Sequence, residues 1–175
     1  MIETKIKQVV RDVADFPKPG IVFKDITPIL KNPELCAEIT AALVIQLQGI
    51  QIDVVAGIES RGFLFGMLLA QALKVPFVPI RKAGKLPAKT IQQAYDIEYG
   101  SAVIELHEDA ISQGQKVLIH DDLLATGGTV AAASQLVEKL QAEVVGCSFI
   151  IELEFLAGRE RLKGYNLETF ALASY

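Results

Sequence analysis

Val117-Leu118-Ile119-His120-Asp121-Asp122-Leu123-Leu124-Ala125-Thr126-Gly127-Gly128-Thr129-Val130 is the stretch on which the fold turns. An apolar run reads as a buried strand that leads into two adjacent carboxylates, Asp121 and Asp122, and then into small and hydroxyl residues that open a helix. Gly127 and Gly128 let the backbone approach an anion closely. Thr126 and Thr129 add hydroxyl donors beside the free N–H groups of the helix start, so residues Ala125 to Thr129 form a candidate phosphate cradle. Carboxylates placed just before such a loop accept hydrogen bonds from ribose hydroxyls, which a cradle for bare phosphate does not need. The implied ligand is a sugar phosphate.

Two common nucleotide sites are excluded. No Gly-x-x-x-x-Gly-Lys-Ser/Thr occurs, and no Gly-x-Gly-x-x-Gly follows a strand. Working outward, residues 53–58, 76–80, 96–106, 116–120 and 143–153 read as strands, the third a candidate for a long antiparallel strand. Residues 62–73 and 129–140 read as helices, and an amphipathic helix runs from Pro33 toward Gly49. Ile6, Val9, Val10 and Val13 lie at helical spacing and predict a first helix over residues 3–14, ended by Phe16-Pro17-Lys18-Pro19-Gly20. Strands alternating with helices, with near-continuous apolar strands, predict an α/β domain around a mostly parallel sheet flanked by helices. Ligands in such sheets bind beyond the carboxyl ends of the strands, where the Asp121 and Glu59 loops both fall.

Composition narrows the function further. The 175 residues are 51% hydrophobic, enough for a single domain with a substantial core, and no linker or repeat interrupts them. A net charge of −4 and a pI of about 5.2 argue against nucleic-acid or membrane-surface binding, so an anionic ligand must meet a local cluster of cations. Cys36 and Cys147 lack metal-ligand spacing and read as reduced core thiols, and His107 and His120 build no metal site. The N-terminus lacks the apolar core of a signal peptide, and the greasy run from Phe63 to Ile80 is broken by Gln71, Lys74, Pro76 and Pro79. A cytoplasmic protein is the expectation.

Three further constellations carry chemistry. Gly57-Ile58-Glu59-Ser60-Arg61-Gly62-Phe63 follows a strand and opens a helix, so the planar guanidinium of Arg61 is placed to clamp a second phosphate; the alternative is a capping loop in which Glu59 and Arg61 pair with each other. Residues 81–95 show no sustained core periodicity and carry Arg81, Lys82, Lys85 and Lys89. A connection of that length is a functional lid or a solvated charged loop. Glu98 lies in Tyr95-Asp96-Ile97-Glu98-Tyr99-Gly100 at the start of a strand, where it reads as solvent-facing, as does Glu105.

These motifs together resemble the type I phosphoribosyltransferases, in the form found in the adenine-specific branch. Asp-Asp-Leu-Leu-Ala-Thr-Gly-Gly-Thr matches the signature for phosphoribosyl pyrophosphate (PRPP), Glu-Ser-Arg-Gly-Phe the pyrophosphate loop, and Gly-Lys-Leu-Pro followed by Tyr-x-x-Glu-Tyr-Gly the flexible loop. The resemblance runs from residue 5 to about 165 with four motifs in family order. It implies a single-domain fold with a small N-terminal hood (residues 1–32) for base recognition and a flexible lid (residues 81–95). It also implies conversion of adenine and PRPP to AMP and diphosphate, with Mg²⁺ bound mainly through substrate and water and no protein metal ligands. By the same resemblance Glu98 is the acid/base group on the purine, Arg61 serves catalysis and pyrophosphate, and Arg81, Lys82 and Lys85 meet pyrophosphate. Asp121, Asp122 and residues Ala125, Thr126, Gly127, Gly128 and Thr129 hold PRPP and AMP. Val22 offers backbone groups to the base, Phe23 stacks on it, and Lys24 stands where most members carry arginine. A homodimer is implied as well.

Lys24, His120, Ala83 and Ala88 depart from the family pattern. A PRPP-sensing regulator would need a nucleic-acid surface for which the chain has neither spare length nor a basic face. A sister enzyme acting on an oxopurine or orotate is disfavoured by the Phe16–Asp25 and Glu98 segments, which rest on resemblance and not on spacing.

Overall fold

Valine and isoleucine are stiff at χ1 and pack well on a pleated surface, and a strand buried on both faces needs a near-continuous run without polar side chains. Val54–Ile58 meets that condition: all five residues are buried, and the segment forms the middle of the sheet. In the computed structural model, which describes residues 1–16, 18–97 and 100–175, the elements run α1 (Ile2–Val9), β1 (Arg11–Ala14), β2 (Val22–Asp25), α2 (Pro33–Gln46), β3 (Val54–Ile58), α3 (Gly62–Leu73), β4 (Phe77–Lys82), β5 (Thr90–Ile97), β6 (Gly100–His107), β7 (Lys116–Leu124), α4 (Gly128–Lys139), β8 (Glu143–Glu152), α5 (Gly158–Lys163) and β9 (Thr169–Ser174).

Seven strands form one sheet in the order β5-β6-β4-β3-β7-β8-β9. β4, β3, β7, β8 and β9 are parallel, while β6 runs antiparallel to both β4 and β5. Helices α1 to α3 cover one face, where Ile6, Ile39, Leu43, Phe65 and Leu69 are wholly buried. Helix α4 and Leu162 of α5 cover the other, with Ala133, Leu136 and Val137 inside. Each fully buried leucine, isoleucine or phenylalanine here contributes about 1.5–3 kcal/mol. The chain leaves β3 toward β4 through α3 and later returns to the opposite flank of β3 as β7, so the order reverses between β3 and β7. That crevice is where an open α/β sheet binds ligands.

The mostly parallel α/β architecture agrees with the sequence expectation; three local expectations are corrected. The helix expected over residues 3–14 stops at Val9, and residues 11–14 pair antiparallel with β2, Val13 opposite Phe23. Two ion pairs across that ribbon, Arg11 to Asp25 at 2.6 Å and Lys24 to Asp12 at 2.7 Å, together with its backbone ladder, override the helical spacing of Val13. The stretch 81–95 is not one long loop: β4 extends through Lys82 and β5 begins at Thr90, leaving residues 83–89 between strands. The strand expected over 96–106 is two, β5 and β6, paired from Thr90 opposite His107 to Ile97 opposite Gly100. Helix α5 and strand β9 have no counterpart in the sequence expectations.

Candidate active site

The strand β7 continues past the point where its apolar run ends, through both carboxylates to Leu124. Asp121 and Asp122 both line the crevice there, and the Asp122 N–H donates to Oδ1 of Asp121 at 2.8 Å. Asp122 is 2% exposed, and its Oδ2 accepts a hydrogen bond from Nε of Arg61 at 2.5 Å. Arg61 comes from the loop between β3 and α3, and Gly62 behind it permits the approach. A Cβ at Gly62 would sit 2.8 Å from the His120 carbonyl oxygen. The guanidinium also lies over the Phe23 ring, 4.9 Å from its centroid. One side chain thereby joins the acid pair to the N-terminal ribbon, and Phe16 packs edge-on against Phe23 at 5.2 Å.

A cleft of about 380 Å³ opens at this crevice, lined by Glu59, Ser60, Arg61, Lys82, Asp121, Asp122, Leu123 and Ala125. A smaller hollow of about 80 Å³ lies alongside, bounded by Asp121 and the loop from Ala125 to Thr129. Gly127 adopts φ 77°, a left-handed backbone that glycine accepts without a Cβ penalty, and α4 starts at the next residue. No acid stands in the first turn of α4, so its N-terminal N–H groups and dipole face the hollow without a competing negative side chain. Thr129 donates its hydroxyl to Tyr95 at 3.3 Å. Burial and the charge of Asp122 push the Asp121 carboxyl well above its ordinary value, which a cation or hydroxyl donor arriving in the cleft would reverse.

The sequence alternative in which Glu59 pairs with Arg61 is overturned. Glu59 instead accepts from Nε of Arg81 at 3.1 Å and from the backbone N–H of Lys82 at 2.9 Å. Burial pushes the Glu59 carboxyl up, but those donors outweigh it and hold the group below the usual range. Arg81 also reaches forward, donating from Nη1 to the Lys85 carbonyl at 3.2 Å. Lys82 lines the cleft, whereas the exposed Lys85 does not. Val22 is 48% exposed on the ribbon beside Phe23. Lys24 turns the other way, bonded to Asp12 and 4.0 Å from the centroid of the Tyr175 ring. Glu98 lies outside the described residues. His120, one residue before the acids, is wholly buried with Nδ1 2.8 Å from the Ser148 hydroxyl. Burial brings its pKa down to about 3, so it is neutral at physiological pH.

The residue that sequence alone misplaces is Glu105. Alternation with Ile104 and Leu106 assigns it to a solvent face, yet it is only 2% exposed because residues 83–89 fold over it. Its Oε1 accepts from the backbone N–H groups of Lys85 at 2.9 Å and Leu86 at 2.8 Å, and its Oε2 from the side chains of Thr90 and Gln92 at 3.3 and 3.2 Å. Burial pushes this carboxyl up, but the donated bonds from Leu86, Gly84, Gln92 and Lys85 prevail and hold it below its ordinary value. A folded pKa below the unfolded one means that the bonds stabilise fully above the unfolded carboxylate range and are lost as pH falls through the lower folded value. Glu105→Gln should accelerate amide exchange at Lys85 and Leu86 roughly tenfold, the loss expected when a charged acceptor becomes neutral. Acidification should remove the wild-type protection in the same way. Exchange unaltered by either change would show that the loop is held by other contacts.

A family model, the phosphoribosyl transferase domain, matches residues 25–170. The chain belongs to the phosphoribosyltransferase family. Among its relatives in that family, the adenine phosphoribosyltransferase of Flavobacterium johnsoniae is 54% identical over 171 residues, covering 98% of this chain and 99% of the relative. The crystal structure of adenine phosphoribosyltransferase from Thermoanaerobacter pseudethanolicus superposes with a TM-score of 0.96 at 46% identity, covering 100% of both chains. That of Saccharomyces cerevisiae, complexed with adenine and an imino-altritol bisphosphate, gives 0.92 at 43% identity and 98% coverage of each. Two of the four motifs fall at one place in the fold: the acid pair with its glycine loop, and the loop bearing Arg61, meet at the β3/β7 crevice. No helix is long and apolar enough to cross a membrane among the described residues.

Proposed function

We infer that the protein joins adenine to PRPP, giving AMP and diphosphate. The observation that carries this is the chain of contacts Phe23, Arg61, Asp122, which links an exposed aromatic ribbon to a carboxylate pair beside a glycine-rich helix start. A base stacked at Phe23, a ribose held by Asp121 and Asp122, and a 5′-phosphate in the loop Ala125 to Thr129 would lie in that order. Arg61 and Lys82, with Arg81 and Lys85 behind them, accompany the pyrophosphate as it leaves. Bond breaking runs ahead of bond making at the anomeric carbon, giving an oxocarbenium-like centre, and N9 of adenine attacks as pyrophosphate departs. Glu98 takes or holds the purine proton. Val22 supplies the backbone groups that read the base edge; Lys24 serves that region by fixing the ribbon through Asp12.

Mg²⁺ fits the cleft as a passenger of the substrate. Asp122 is engaged by Arg61, so Asp121 is the carboxylate that would hold the water shell of a cation carried in by the substrate. When bound, the metal would supply charge neutralisation to the leaving group. The decisive assay supplies PRPP, Mg²⁺ and adenine and measures pyrophosphate and AMP together; formation of neither would sink the assignment.

A homodimer in the cytoplasm completes the proposal. Helix α3 is apolar on both faces apart from Gln71: Phe65, Leu69 and Ala70 face the core, and Leu64, Met67 and Leu68 point outward, Met67 being 54% exposed. A helix of that kind is buried on both sides in its working state. Across a cleft of about 670 Å³, Leu30, Pro33 and Ala41 continue the same apolar face, which suits a second copy. Met67→Glu should shift the sedimentation coefficient from dimer to monomer, and an unchanged coefficient would place the interface elsewhere.

A further inference from the structure

Helix α5 carries three cations. Arg159 forks onto Glu152, its Nε 3.0 Å from Oε1, and donates to the Thr169 carbonyl at 2.6 Å. Lys163 pairs with Glu160 at 2.8 Å. Arg161 is exposed and makes no ion pair or side-chain hydrogen bond among the described residues. The helix is seated directly on the glycine loop. A Cβ at Gly158 would lie 2.2 Å from the Ala125 carbonyl oxygen, and one at Gly127 would lie 3.4 Å from the buried Leu162 side chain. A Cβ at Gly128, the first residue of α4, would meet Nη1 of Arg161 at 3.4 Å.

An unpaired guanidinium is therefore held beside the positive end of the α4 dipole, whose first turn contains no acid. Cation and helix start repel each other, and only an arriving anion relieves both. We propose that Arg161 is a further ligand of the substrate's 5′-phosphate, closing the side of the cradle that α5 covers. This rests on the assignment of that phosphate to the loop Ala125 to Thr129. A phosphate monoester takes a second charged donor well, because its oxygens exceed what three or four backbone N–H groups satisfy. The Arg159 pairs fix α5, so the position of Arg161 is set by packing and not by the ligand.

The test compares Arg161→Ala, Arg161→Gln, Arg161→Lys and Gly128→Val with the full-length parent, by calorimetry with AMP, adenine and pyrophosphate and by steady-state kinetics with PRPP. Loss of one charge-assisted contact should raise the AMP Kd and the KM for PRPP roughly tenfold in the alanine and glutamine variants, with the loss falling on KM and not on kcat. Arg161→Lys should recover most of it, and adenine and pyrophosphate affinities should not move. Thermal unfolding should stay at the parent temperature or rise slightly in the neutral variants, since no folded-state partner is removed and the repulsion with the α4 start is relieved. Unchanged AMP affinity in both neutral variants, or equal weakening of all three ligands, would overturn the role of Arg161. If Gly128→Val itself bound AMP normally, the phosphate would lie outside the loop, and the loop assignment would fall together with the Arg161 proposal.

Discussion

With PRPP and Mg²⁺ supplied, adenine should be used about 10,000-fold more efficiently than hypoxanthine, measured as kcat/KM from pyrophosphate release. The two bases present nearly the same stacking surface, so Phe23 does not separate them. They differ in the group on the ring edge, an amino donor against a carbonyl acceptor. A site of fixed backbone groups that pairs with the donor leaves buried partners unsatisfied when the acceptor replaces it. The ribbon bearing Val22 is suited to such a role because its geometry is tied down. Arg11 holds Asp25, Lys24 holds Asp12, and the Phe16 N–H donates to the Ile21 carbonyl at 3.2 Å. A rigid reader cannot adapt its donors to the wrong base. Comparable efficiencies for the two bases would remove adenine as the substrate while leaving a phosphoribosyl transfer intact.

Arg61→Lys should lower kcat/KM for PRPP about 100-fold, although it conserves charge. The native side chain makes two contacts at once: Nε to Asp122 at 2.5 Å and its plane over Phe23 at 4.9 Å. Lysine ends in a point charge with no planar face, so it can keep one of these at most. A charge-assisted hydrogen bond to a carboxylate contributes about 1.5–3 kcal/mol, which converts to roughly tenfold to 150-fold. The buried Asp122 would also be left without its partner, a cost lysine only partly offsets. Pyrophosphate affinity should fall alongside activity, and calorimetry of pyrophosphate with the variant reads this directly. A variant within threefold of the parent in both measurements would show that charge alone, not the Nε bond or the contact with Phe23, is what this position supplies.

The α/β architecture and the crevice proposed to bind phosphate were legible in the amino-acid sequence, because both rest on local chemistry. The period of the apolar residues identifies β3, α3, β7 and α4, and a run of Ala125-Thr126-Gly127-Gly128-Thr129 after a strand has few other uses. Which groups would pair was legible only in part. Glu59 lies two residues from Arg61 along the chain, yet it bonds Arg81, while Arg61 crosses to Asp122, 61 positions away. Those partners are chosen by the β3, β4 and β7 alignment, which places three strand ends side by side. Val13 keeps helical spacing in a segment that pairs as a strand, because ion pairs with β2 outweigh a weak local preference. Glu105 sits on a strand face that local alternation marks as solvated, and only the fold of residues 83–89 over it makes the face an interior. Arg161 lacks a motif altogether. Its position follows from Gly158 packing against Ala125, a contact between elements more than thirty residues apart that no local pattern encodes. Periodicity and turn chemistry act over a few residues, so sequence alone determined the central strands and helices β3, α3, β7 and α4 and the glycine loop between the last two; the β1–β2 ribbon, α5, β9 and the pairing of buried charges depend on which elements meet, and the tertiary structure decided them.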